Sequence, residues 1–140
     1  MLHEVNDVVI LTARIFLALL FLIFGWRKIR DYPGTVSQMA QDRLPMPGLA
    51  AAIAIFMERP VSIAIAIGLL TQPLAILVAL YTLGTSLAEH RFWRVRDAHW
   101  LESMENFFKN LAIMGGFLLL FVTGGGKYSV DSWLGISVPW

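Results

Sequence analysis

Four stretches of this chain, residues 8–26, 49–70, 72–88 and 107–122, are almost wholly apolar over lengths that suit a helix crossing a bilayer. A spanning helix takes about 20 largely apolar residues, and shorter ones still span when flanking groups reach the interface. The pattern predicts an all-α protein: a four-helix transmembrane bundle with short interfacial segments in the loops after helices one and three. With their flanking anchors the spans run approximately over 8–28, 49–70, 72–89 and 105–122, in one membrane domain covering residues 1–140. Composition agrees, with 57% hydrophobic and 15% charged residues where soluble domains carry about 45–50% and about 25%. The first stretch is retained as a span because residues 1–7 hold Glu4 and Asp7, lack Lys and Arg, and lead to no small-residue cleavage site.

The connections have their own signals. Gly25, Trp26, Arg27 and Lys28 place an interfacial aromatic and basic anchors at the end of the first span. Asp31, Tyr32, Pro33 and Gly34 read as a turn, residues 35–43 as a short interfacial helix, and Pro45, Met46, Pro47 and Gly48 as a second break. Only Thr71 and Gln72 precede Pro73, so spans two and three form a tight antiparallel hairpin. Residues 89–106 mix His90, Arg91, Arg94, Arg96 and several acids with Phe92, Trp93 and Trp100, the makeup of a segment lying at the headgroups. Gly124, Gly125 and Gly126 end the last span.

Lys and Arg are concentrated after spans one and three, at Arg27, Lys28, Arg30, Arg43, Arg91, Arg94, Arg96 and Lys109, against Lys127 alone on the opposite side. The positive-inside rule then puts both long loops in the cytoplasm and both termini in the periplasm. No basic block suggests nucleic acid. With no cysteine in the chain, thiol exchange and iron–sulfur ligation require another protein. His3, His90 and His99 lack the spacing of a metal site.

Within the second span stands Glu58, a carboxylate near the middle of an apolar run. Intramembrane charges are expensive, face a bundle interior or a watery cavity, and pair there. On the first span Arg14, Phe21, Gly25 and Lys28 are spaced by 7, 4 and 3 residues and so share one helix face. Counting 1.5 Å per residue from the span boundaries puts Arg14 about 10 Å deep from one side and Glu58 about 14 Å from the other. The long arginine side chain would close the gap, so an Arg14–Glu58 pair is expected, serving either a site or helix register. Arg59 next to Glu58 is a competing partner, and Pro60 is expected to loosen the helix and expose carbonyls.

On the third span Thr82, Thr85 and Ser86 form a polar stripe suited to helix packing. His90, beyond it, is a candidate proton carrier or a solvated residue. The fourth span opens with Glu105, Asn106, Lys109 and Asn110, where Glu105 and Lys109 stand at an i, i+4 spacing that favours an ion pair. Lys109 and Asn110 could hold a quinone carbonyl, although Lys109 could equally snorkel to the interface.

Taken in order, Gly25, Lys28 and Ile29, then Leu44 to Pro47, Glu58, Gly68 to Thr71, His90, Phe108 to Asn110, and Gly124, Gly126, Ser129 and Asp131 resemble the DoxX family over nearly the whole chain. That resemblance implies a four-helix protein of the bacterial inner membrane, and loosely a quinone-linked role, since the family takes its name from a subunit similar to those of terminal quinol oxidase and thiosulfate:quinone oxidoreductase complexes. One departure stands out. Members often carry glycines soon after the helix-two acid, whereas Arg59 and Pro60 follow Glu58 here.

The leading expectation is an auxiliary subunit of a quinone-linked redox system. Glu58 would accept a proton, and Arg14, Lys109, Asn110 and His90 would contact a bound quinone. No metal is expected. The partners are the lipid bilayer and either a second copy of the chain or another membrane redox subunit. The alternatives are a small proton-coupled transporter with Glu58 as its proton site, and a structural or assembly subunit whose polar residues only fix the helices.

Overall fold

The computed structural model describes residues 2–89 and 100–135, and every regular element among them is an α-helix. These are α1 (Leu2–Arg30), α2 (Tyr32–Gln41), α3 (Pro47–Glu58), α4 (Pro60–Ile67), α5 (Thr71–Glu89), α6 (Trp100–Thr123) and α7 (Val130–Trp133). Segments Glu4–Arg30, Pro47–Ile67 and Trp100–Thr123 are long and apolar enough to cross a membrane, and Thr71–Leu87 is a shorter apolar helix beside them. The fold is a helical membrane bundle.

Its buried positions are strikingly small for the size of the helices, with Ala18, Ala51, Ala54, Ala75 and Ala79 almost fully enclosed. Lipid tails are as apolar as leucine, so burial of leucine gains little in a bilayer, and helices associate through close backbone approach and dispersion instead. Phe16, Phe56, Leu80 and Leu119 accordingly stay on the outside. Larger side chains enter the core at several levels, Met57, Val61 and Ile65 among them, and the aromatic ones meet at one level. There the Phe21 ring lies 5.8 Å from Phe117 and 6.5 Å from Tyr81, centroid to centroid, within the range of favourable tilted and edge contacts.

The second span is two helices. Pro60 has no N–H to give, so α3 stops at Glu58 and α4 restarts, with Arg59 at the joint (φ −114°, ψ −75°). The expected loosening at Pro60 is therefore present, and the buried Ser62 hydroxyl donates to the Met57 carbonyl at 3.3 Å across it. The link to α5 lies one turn earlier than expected. Gly68 takes the left-handed conformation (φ +81°) that closes a helix, and α5 starts at Thr71 with Pro73 in its first turn.

The interfacial helix after α1 is present as α2, shifted a few residues toward the N-terminus because Asp31 caps it by accepting from the Gly34 N–H at 3.2 Å. Its Met39 packs on Ala51 and Ala54 of α3, and Tyr32 donates to the Gly48 carbonyl at 2.9 Å. α6 begins at Trp100, five residues before the expected start of its span. Of the interfacial segment expected over residues 89–106, residues 100–106 are the first turns of α6 instead, and the part with His90, residues 90–99, lies outside the described residues.

Candidate functional site

Two buried charges organise the bundle, and they do not meet. Gly25 of α1 faces the joint after Glu58 so closely that a Cβ there would stand 2.7 Å from Arg59 Cγ and 3.0 Å from the Glu58 carbonyl carbon. This contact sets the register of α1 against α3. Arg14 is eleven residues before Gly25, which is about 16 Å along the helix, beyond the reach of its side chain. The expected Arg14–Glu58 pair is thus not formed. Both residues are inward, as the shared face of Arg14, Phe21, Gly25 and Lys28 required, but at different levels.

At the Glu58 level, Lys28 of the same α1 face is the partner. Its Nζ donates to Glu58 Oε1 at 2.9 Å and lies 2.8 Å from Oε2, so the ammonium straddles the carboxylate. Tyr81 of α5 is a hydrogen-bonding neighbour of the same carboxyl group. Glu58 is 4% exposed and Lys28 25%, which makes this a pair with one end in the core and the other toward an opening. Arg59 turns away, its Nη1 donating to the Leu22 carbonyl at 3.1 Å while its guanidinium sits 5.4 Å from the Trp26 ring centroid.

The pair borders a cavity of about 670 Å³. Phe21, Phe24, Met39 and Tyr81 give it apolar and aromatic walls, and Thr82, Thr85 and Asn110 add polar groups from α5 and α6. Arg27, Arg30 and Asp31 stand around its mouth, and α2 roofs it through Gly34, Thr35 and Gln38. Sequence reasoning placed Glu58 and Asn110 in a site together, and the structure brings both to this cavity. Lys109 is on the exposed side of α6 and makes no ion pair with Glu105. The α6 helix turns Asn110 inward and its neighbour outward. The Thr82, Thr85 and Ser86 hydroxyls bond back to carbonyls of α5 at 2.8–3.0 Å, so the stripe is self-satisfied and packs as expected, with two of its members also facing the cavity.

At the opposite end Arg14, 1% exposed, is caged by backbone. Its Nη1, Nη2 and Nε donate to the carbonyls of Gly125 (2.5 Å), Tyr128 (2.7 Å) and Ala66 (3.2 Å). Asp131 on α7 accepts from the Leu70 and Thr71 N–H groups at 2.6 and 2.7 Å, capping α5, and its own N–H donates to the Gly68 carbonyl at 2.9 Å. Asp7 accepts from the Lys127 N–H at 3.2 Å. The loop after α6 is thereby fastened to α1, α4 and α5. Sequence reasoning did not assign Asp131 or Lys28 to these networks. The signal for Lys28 was its place on the Arg14 face, one turn beyond Gly25.

Comparison with known proteins follows the same lines. The family model described as DoxX matches residues 9–91. The inner membrane protein YphA of Escherichia coli (strain K12) is 47% identical over 126 residues, covering 90% of this chain and 90% of that protein. The inner membrane protein YqjF of the same organism is 37% identical over 132 residues, covering 93% of this chain and 95% of that protein. No solved structure matches significantly.

Proposed function

The chain belongs to the DoxX family and is an inner membrane protein, and from that premise we propose that it is a binding subunit of a quinone-linked redox system. In this reading the Glu58–Lys28 pair receives the polar head of a quinone or quinol. The observation that supports it is the position of that pair: a buried carboxylate and a partly exposed ammonium side by side on the wall of a cavity with aromatic flanks. The cavity volume falls within the range of about 300–1,000 Å³ common for small-molecule sites, and its combination of apolar lining with a few convergent polar groups is the usual one.

The residues fit such a head group by donor and acceptor type. Lys28 Nζ has only hydrogens to donate and suits a carbonyl oxygen, while Glu58 in its charged form only accepts and suits a hydroxyl. Phe21, Phe24 and Tyr81 offer ring faces and edges for a planar ring. A bound quinol supplies two electrons and two protons on oxidation. Glu58 Oε would take one proton within hydrogen-bond reach and release it past Lys28 to the cavity mouth, and the second proton would follow the same route once Glu58 is free again. The electrons would go to an acceptor on a partner subunit, the chain having no cysteine to ligate an iron–sulfur cluster. Arg14 and Lys109 drop out of the ligand-binding set. By the distribution of Lys and Arg, the cavity mouth faces the cytoplasm and both termini the periplasm.

Quinones extracted from the detergent-purified protein and quantified by mass spectrometry test the reading, with a monodisperse Glu58→Gln variant in parallel. Near-stoichiometric quinone in the parent that is depleted in the variant supports it. Equal trace amounts in both sink it.

A further inference from the structure

The two ends of the bundle differ in a way that bears on access to the site as well as on its chemistry. Between the Glu58 level and the Arg14 level lies a layer of Ala18, Phe21, Val61, Ile65, Val78 and Phe117, each at most 6% exposed. From Glu58 to Ala66, whose carbonyl Arg14 holds, is eight residues of chain, about 12 Å of helix. The hydroxyls nearest this layer are occupied, Ser62 with Met57 and Thr82 with Val78. Beyond it Arg14 and Asp131 fasten the 125–131 loop over the end of the bundle. No chain of polar groups crosses the layer among the described residues.

We infer that the Glu58 cavity is a blind site, reached by ligand and by protons solely from the membrane face that carries residues 27–46. This builds on the reading of Glu58 as a proton acceptor and adds its sidedness. The groups that face Glu58 are Lys28 from α1 and Tyr81 from α5, with Asn110 as the contribution of α6. Arg27, Arg30 and Asp31 stand between them and the mouth, and Arg59 points to Leu22 and Trp26 instead. A proton leaving Glu58 therefore passes Lys28 and the charged mouth, which is the wet side. The opposite route would require desolvation in an apolar layer at a cost of several kcal/mol. A quinol oxidised here delivers its protons to the 27–46 face, and a conduit through the bundle is not built.

The absence of cysteine from the natural chain makes single cysteines readable. Thr85→Cys lines the cavity without belonging to the proposed proton-handling pair. Ser37→Cys, exposed on α2, reports one face, and Ser132→Cys, exposed on α7, reports the other. Each variant is expressed in cells and treated with a small charged membrane-impermeant thiol reagent, in intact spheroplasts and in inverted vesicles. The inference expects Thr85→Cys to react in the same preparation as Ser37→Cys and at least tenfold more slowly in the one where Ser132→Cys reacts. Comparable reaction from the Ser132 face, or none from either face, overturns it. Since no quinone enters this experiment, a blind cavity that retains no quinone would sink the redox reading alone, and a quinone-loaded cavity open to both faces would sink the sidedness alone.

Discussion

Arg14 and Glu58 are both charged residues buried in membrane-crossing helices, yet their surroundings are of opposite kinds. Every nitrogen of the Arg14 guanidinium donates to a backbone carbonyl, two in the 125–128 loop and one at Ala66, and the cavity of about 370 Å³ at that end is walled by Gly125, Ser129 and Asp131 without Arg14. Glu58 has a single charged partner, one that is a quarter exposed, and the pair borders about 670 Å³ of open volume. A guanidinium held by three backbone acceptors and 1% exposed is committed to the fold. A carboxylate held by a flexible ammonium and a tyrosine on a cavity wall can exchange partners, and we propose on that ground that the first charge holds the fold and the second is available for chemistry.

The sharpest way to break this contrast is at Arg14. Arg14→Met removes the donors from three carbonyls, one fully and two partly buried, and leaves Asp131 without its nearby positive charge, and hydrogen bonds to charged groups are worth about 1.5–3 kcal/mol each. The expected result is a loss of more than about 3 kcal/mol, seen as aggregation on size exclusion or a collapse of the melting temperature. Arg14→Lys restores only part of it, because an ammonium lacks the planar fork that serves three acceptors at once. Gly25→Ala comes next. Its Cβ would press on Arg59 and on the Glu58 backbone, and overpacking of this sort costs about 1–3 kcal/mol, with ligand retention falling as Glu58 is displaced. Asp131→Asn keeps one acceptor for the start of α5 and is expected to lower stability by about 1 kcal/mol, as weakened caps do, with no change in bound ligand. Lys109→Met is the smallest. As an exposed residue it should alter stability by less than about 0.5 kcal/mol and leave quinone content unchanged, and a loss of quinone there would restore it to the site.

Much of this organisation is legible in the residues. The apolar runs mark the spans, the 7, 4 and 3 spacing marks the inner face of α1, and a lone acid in an apolar run marks the site. The pairing was not legible, because depth counted from span boundaries carries an error of a turn or two. Here the register depends on a contact between Gly25 and the Glu58–Arg59 joint that no local pattern announces. The glycines commonly found after the helix-two acid are replaced by Arg59 and Pro60, but the close approach they would provide is supplied from the other helix by Gly25. Arg14 finds its acceptors in the 124–128 loop and at the end of α4, and Asp131 finds α5 some sixty residues away in sequence. Such long-range backbone contacts depend on loop conformation, which composition does not specify.

The measurement that tests the central claim most directly is the melting temperature of the detergent-solubilised protein with and without a short-chain ubiquinone, for the parent, Glu58→Gln and Arg14→Lys. Ligand that binds only the folded state raises the melting temperature, by an amount that grows with the logarithm of its concentration relative to Kd. The account expects Glu58→Gln, whose amide oxygen still accepts from Lys28, to remain folded and melt above Arg14→Lys, and to have lost the upward shift with quinone that the parent shows. Arg14→Lys should melt far lower yet still shift. If Glu58→Gln instead melts as low as Arg14→Lys, and the parent gains nothing from quinone, both buried charges are structural and the contrast between the two ends fails.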